Sequence, residues 1–283
     1  PALNAILKDL NDGIRINDAL ERHTKGLDEL EQSFAKYLDK LATAYASGVE
    51  FKTEEMAAAK LIDLEAADAF LKQHPHSFGA MRLYAALLIK ADRLDEAEAQ
   101  LKKLIALVPQ DDNLDGPRRL LAEVYKQRGQ TELEMQILTE HLHYSADDLV
   151  AALRLQELCE LQKQQDQVVE LGRTIFAIDP FQPLALTRTS SAAEAIGKIN
   201  DAVSALTSLL QIQKDDAARL HFHIARLLKT TAPESARRHV LLSLAQAPRY
   251  RDAHKLLLEL VAEPEAQAPT GNTPVEIEPP ARN

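Results

Sequence analysis

The sequence predicts an all-α fold, a solenoid of antiparallel helix pairs, on three observations. Four prolines share one ruler. Pro75 and Pro109 stand 34 residues apart, Pro180 and Pro248 stand 68 apart, and the 71 between Pro109 and Pro180 is two such strides plus three residues. A period of 34 is that of a repeated helix–turn–helix unit. The chain has no Trp and only 5% aromatic residues, and it is rich in Ala and Leu, which favours close-packed helices over sheets. Apolar residues recur at three- and four-residue spacing along most of its length, the pattern of amphipathic helices.

The first 46 residues follow a rule of their own. Ile16, Leu20, Leu27, Leu30, Phe34, Leu38, Leu41 and Tyr45 form an apolar stripe at helical spacing, with Gly26 as an interruption. The 34-residue stride is missing here, so 1–46 reads as an N-terminal helical extension that must bury its stripe against the array or against another body. From 47 to 262 the repeats predict about six helix pairs and a closing helix. Between Ala80 and Pro109, Leu83, Ala86 and Leu87 share one face, and Ala91, Asp92 and Arg93 break the pattern. A second helix follows with Leu94, Ala97, Leu101, Leu104, Ile105 and Val108, and Pro109 stops it. Thr131 with Glu134, and Thr231 with Glu234, have capping-box spacing at the starts of second helices. After Pro248, RYRDAHKLLLELVAE reads as the helix that shields the last open face. Residues 263–283 hold Pro264, Pro269, Pro274, Pro279 and Pro280 and few large apolar groups, so a disordered tail is expected.

These repeat residues resemble the tetratricopeptide repeat. At the family's small and turn positions, and at its closing proline, one unit has Ala85, Asp92, Ala97 and Pro109. The next has Ala122 and Gly129 but Glu134 where Ala is expected. The third runs to Pro180, with Cys159 and Val168 at packing positions. The fourth has Gly197 and Ala202, with Lys214 in the proline slot, and the fifth has Ala225, Ala236 and Pro248. Ala67, Phe70 and Pro75 mark a degenerate leading unit. The resemblance implies a right-handed superhelix whose small residues let paired helices touch and whose turns take a positive φ. The segment NDGIRINDALERHTKGLDELEQSFAKYLDKLA also looks like the closing helices of bacterial peptidase MA-like (gluzincin) domains. That resemblance implies a C-terminal accessory region of a zinc metallopeptidase-like protein, with the catalytic domain preceding it. The family's HExxH zinc motif is absent from the chain, so no catalytic residue carries over and the chain reads as non-enzymatic.

Charge narrows the partners. Lys and Arg total 33 against 43 Asp and Glu, a net −10, which disfavours nucleic acid. No apolar run reaches the ~18–20 residues that span a bilayer, so no membrane insertion is expected. PALNAILKDLNDG does not read as a signal peptide. The compartment stays open: cytoplasmic, or exported as part of a longer chain. Neither cofactor nor metal is expected. The His74/His76, His141/His143 and His221/His223 pairs point about 200° apart when helical, and Gly-rich phosphate loops are lacking. Cys159, the single cysteine, reads as a small buried residue.

The remaining pattern is cationic. In the tetratricopeptide register the first helices line a concave groove, and Arg82, Arg119, Arg154, Arg188 and Arg226 fall on or near it, with Lys90, Lys126 and Lys229 at later groove-facing positions of the same helices. Guanidinium forks suit carboxylates. The expected function is therefore a non-catalytic scaffold that binds a protein or peptide, acidic or carboxylate-bearing, along that groove. The competing reading pairs these cations with Glu123, Glu157, Glu160 and Glu194 in a solvated ladder.

Overall fold

The structure is a computed structural model that describes residues 2–46, 48–51 and 63–262. Fifteen α-helices lie among the described residues: α1 Ala2–Asn11, α2 Ile16–His23, α3 Leu27–Tyr45, α4 Leu64–Gln73, α5 Phe78–Lys90, α6 Leu94–Leu107, α7 Pro117–Gln127, α8 Thr131–Tyr144, α9 Leu149–Leu161, α10 Gln165–Ile178, α11 Pro183–Ala195, α12 Ile199–Ile212, α13 Ala217–Leu228, α14 Pro233–Gln246 and α15 Arg251–Ala262. A short 3₁₀ turn, Lys214–Asp216, precedes α13. The only β feature among these residues is an isolated bridge between Glu50 and Ser77. The expected all-α array of helix pairs is the observed fold. The proline-rich tail over 263–283 and the first half of the leading repeat lie outside the described residues.

The chain divides into two compact units, Pro1–Ala146 and Asp147–Asn283. In the first, α5 packs on α6 and α7 on α8; α6 packs on α7, and α5 also meets α7. In the second, α9/α10, α11/α12 and α13/α14 form successive hairpins, α9 meets α11, and α15 closes on α14. Helices therefore touch both their hairpin partner and the next repeat, as a stack of units that cannot bury their faces alone requires.

Local chemistry sets the boundaries. The Asp63 carboxylate accepts from the Ala66 N–H at 2.8 Å and caps α4. Asp148 accepts from the Ala151 N–H at 3.0 Å and caps α9. Proline occupies the first turn of α7, α11 and α14, where its missing N–H costs no helical bond. The two expected capping boxes do not form. Thr131 is already the first residue of α8, behind Gln130, and α14 starts at Pro233 behind Ala232, without a side-chain cap in either case. For α8 the reason is the turn before it: the Gln130 N–H bonds back to the Tyr125 carbonyl at 2.9 Å, so the helix starts immediately after the turn residue.

That turn recurs. Asp92, Gly129, Lys163 and Gly197 all take a φ between 58° and 74°. After each, the next N–H reaches the carbonyl five residues back: Arg93 to Leu88, Gln130 to Tyr125, Gln164 to Cys159 and Lys198 to Ala193. This is the Schellman arrangement, which satisfies carbonyls otherwise orphaned at a helix end. The fifth hairpin departs from it, with right-handed Lys229 at the end of α13.

Close approach is built on alanine. Ala85, Ala97, Ala122, Ala202, Ala225 and Ala236 are all buried. In the second unit Leu186, Leu206, Leu209, Leu220 and Ile224 join α11, α12 and α13 in one core. Ala236, Val240, Ala253, Leu256 and Leu260 seat α15 on the last hairpin.

Candidate protein-binding surface

Each unit places its cations on first helices of the hairpins, mostly beside oxygen acceptors. In the first unit Arg82 of α5 donates through Nη1 to the Asp115 carbonyl at 3.0 Å. Lys90 is exposed at the end of α5, and Arg119 is half-buried in the first turn of α7. Lys126 stands 3.6 Å from Glu123 on its own helix. In the second unit Arg154 pairs with Glu157 at 2.9 Å, Arg188 with Glu160 at 2.8 Å and Arg226 with Glu194 at 2.7 Å. Lys229 pairs with Glu259 at 3.0 Å.

Three of these pairs cross between elements: Arg188 of α11 to α9, Arg226 of α13 to α11, and Lys229 after α13 to α15. The Glu194 carboxyl also accepts from His223 at 2.6 Å. Burial pushes that carboxyl up, and the His223 and Arg226 hydrogen bonds and charges more than reverse the push, so it lies below the usual range. The second unit's cations thus sit in a ladder of neighbouring carboxylates. Exposed rungs cost little to exchange, since solvated pairs contribute about 0–1 kcal/mol. Arg226 is such a rung, with 56% of its side chain exposed, whereas Arg188 retains 13%.

The histidine pairs part as their helical spacing requires. His221 meets His239 of α14, Nδ1 to Nδ1 at 3.0 Å, while His223 turns to Glu194. His74 stacks on Phe70 with ring centroids 4.4 Å apart, and His141 is buried in α8. Cys159 is buried, and burial raises its thiol above the ordinary value. Among the described residues no group of three or more His, Cys, Asp or Glu is placed to hold a metal ion, and no helix is long and apolar enough to cross a membrane.

Two features escaped the sequence pattern. Gln156, fully buried on α9, donates to Thr189 of α11 and to the Val168 carbonyl of α10. Arg118 is 5% exposed, donates to the Pro109 carbonyl at 2.6 Å and lies 4.4 Å over the Tyr144 ring. The only sequence signal for either was a polar residue amid an apolar face, which alone does not separate a buried bridge from a surface group.

No family model matches the sequence, and no curated protein matches it. The structure does have relatives. A chain of the Naa15/Naa10 structure bound to HypK-THB superposes with a TM-score of 0.55 at 15% identity over 72% of this chain. The fold is a tetratricopeptide-type helical repeat. This chain spans 31% of that relative's length. Also similar are YrrB, a TPR protein with an unusual peptide-binding site, at a TM-score of 0.45, 13% identity and 70% coverage of this chain and 99% of YrrB, and the C-terminal part of a TPR repeat-containing protein from Cytophaga hutchinsonii, at 0.46, 14% identity and 72% coverage of this chain and 83% of that one.

Proposed function

We propose that the chain is a non-catalytic scaffold that binds a segment of another protein on the faces formed by first helices within its units. The observation that carries this reading is the second unit's ladder, in which Arg188 and Arg226 pair with a carboxylate of the preceding hairpin. Glu160 and Glu194 stand one 34-residue stride apart, so consecutive repeats each set a guanidinium group against a carboxylate, and each guanidinium is poised to trade that carboxylate for one from a ligand. In this reading Arg154, Arg188, Arg226 and Lys229 contact an acidic or carboxylate-terminated segment on the second unit. Arg82, Arg119, Lys90 and Lys126 do so on the first.

A fluorescein-labelled Asp/Glu-rich hexapeptide with a free C-terminus tests it by anisotropy. Binding that weakens in 0.5 M salt and disappears in Arg188→Glu/Arg226→Glu, with helicity unchanged by circular dichroism, is the expected result. Equal binding to the wild type and the double variant removes the reading.

A further inference from the structure

We propose that α3, together with the Asp111–Asn113 loop, is a docking surface for a basic amphipathic helix of a partner protein. The proposal concerns the first unit alone, takes a ligand of the opposite charge, and does not rest on the arginine ladder.

Most of the stripe that the sequence expected to be buried is exposed, and Tyr37 widens it. Leu30, Phe34, Tyr37, Leu38, Leu41 and Tyr45 are all exposed, Phe34 by 58% and Leu41 by 46%. At about 100° per residue they fall within one arc of roughly 100°, and at 1.5 Å per residue they run for about 22 Å. An apolar stripe of that width and length is the complement of another amphipathic helix rather than of a small molecule.

The stripe leads into a cleft of about 740 Å³ lined by Leu38, Leu41, Ala44, Tyr45, Phe51 and Gln110. Tyr45, Phe51 and Gln110 also line a second cleft, about 580 Å³, whose other walls include Asp111, Asp112 and Asn113. The Tyr45 hydroxyl donates to the Gln110 carbonyl at 2.5 Å and marks the junction.

That junction is negative. Asp112 is exposed, whereas Asp111 is 95% buried by its 5% exposure, and its Oδ2 has no hydrogen-bond partner. The Tyr45 phenol is pushed up first by burial and then by the Asp111 and Asp112 charges, which outweigh the opposing Arg118. Glu31 borders the stripe toward the other end of α3, while Asp28 and Glu29 are exposed but off it, Glu29 in an ion pair with Lys25 at 3.1 Å; Lys36 falls on the reverse face and Lys40 on one flank.

Charge also selects against a second copy of the chain. Pairing two α3 helices in parallel sets Glu31 against itself. Antiparallel pairing sets it toward Asp112. Both arrangements juxtapose like charges at the rim, which disfavours a wrong partner. A helix with Leu-type residues on one face and Lys or Arg on the other satisfies the stripe and both acidic ends.

The probe is a fluorescein-labelled 18-residue Leu/Lys peptide with Leu at helical spacing; the control replaces every Lys by Glu. Full-length chain is titrated into each by anisotropy. The Lys peptide is expected to bind at least roughly tenfold more tightly than the Glu peptide, and Phe34→Glu or Leu41→Glu to weaken it at least roughly tenfold, as loss of a central apolar anchor does. Asp112→Lys is expected to weaken binding and flatten its salt dependence. All three positions are exposed, so folding is spared. Leu258→Glu, at an exposed position of α15, and Arg188→Glu/Arg226→Glu should bind as wild type. Equal affinity for the two peptides overturns the proposal, as does a Leu258→Glu loss matching that of Leu41→Glu. So does a chain dimer in light scattering that Leu41→Glu dissolves.

Discussion

The Gln156 side-chain amide donates to the Thr189 hydroxyl at 3.1 Å, and that hydroxyl in turn donates to the Ala185 carbonyl at 2.7 Å. A second hydrogen bond runs from Gln156 to the Val168 carbonyl at 3.2 Å. One buried side chain thus fastens α9, α10 and α11 at the middle of a hairpin stack. Gly172 makes room for Thr189: a Cβ there would stand 2.0 Å from the Thr189 hydroxyl. Gly172→Ala is expected to destabilise the chain by about 2–3 kcal/mol through overpacking. Thr189→Ala should recover part of that loss in the double variant, making the pair non-additive. Urea unfolding followed by circular dichroism measures both.

The left-handed turns give a second prediction. Lys163 holds a φ of 58°, a conformation that opposes its Cβ with the carbonyl oxygen and favours glycine. Lys163→Gly is expected to stabilise by about 0.5–1 kcal/mol, after the glycine's extra freedom in the unfolded chain is offset. Gly129→Ala, at a φ of 66°, should move stability the other way by a similar amount. Thermal midpoints of the two variants check the signs.

The His221–His239 pair gives a third. Burial lowers the His221 pKa. Burial, then the His221 and Arg238 charges, lowers that of His239. A depressed histidine binds its proton less readily folded than unfolded. Its stabilising contribution is therefore complete above the unfolded value of about 6.5 and is lost as pH falls through 6.5 toward the folded values. Urea midpoints are expected to drop between pH 7.5 and 5, and the drop should shrink in His221→Asn/His239→Asn. An unchanged slope in the double variant contradicts this account.

Ion pairs of different burial should rank. Arg128 reaches Glu98 and Asp95 across α6 and α7, with only 18% of its own side chain and 20% of Glu98's exposed. Arg128→Ala is expected to cost about 1–3 kcal/mol, because it removes a charged donor from the half-buried Glu98 carboxylate and leaves only Lys102 and Tyr125 to hold it. Arg226→Ala should cost under about 1 kcal/mol. Denaturation at low and high salt separates the two.

The stride of prolines and small residues made the hairpins legible, because Ala85, Ala97, Ala202 and Ala236 sit where only a small side chain allows two helices to touch. Asp92 was legible as a turn but Lys163 was not, since lysine carries no local preference for a positive φ and is held there by the Gln164–Cys159 bond. The capping boxes at Thr131 and Thr231 misled for a related reason: tertiary turn geometry and Pro233 fix those helix starts before a hydroxyl can. At the candidate surface the arginines and their glutamates were both visible, but the choice between them depends on three-dimensional neighbours. Glu160 lies 28 residues from Arg188 and is reached only because hairpins stack.

The recurring turn has an evolutionary corollary. Lys163 and Gly197 occupy the same conformation, followed by the same backward bond, so excising 164–197 would splice like geometry to like, remove α10 and α11, and join α9 to α12 in one hairpin. A chain punctuated in this way can gain or lose links by unequal recombination without inventing a new join.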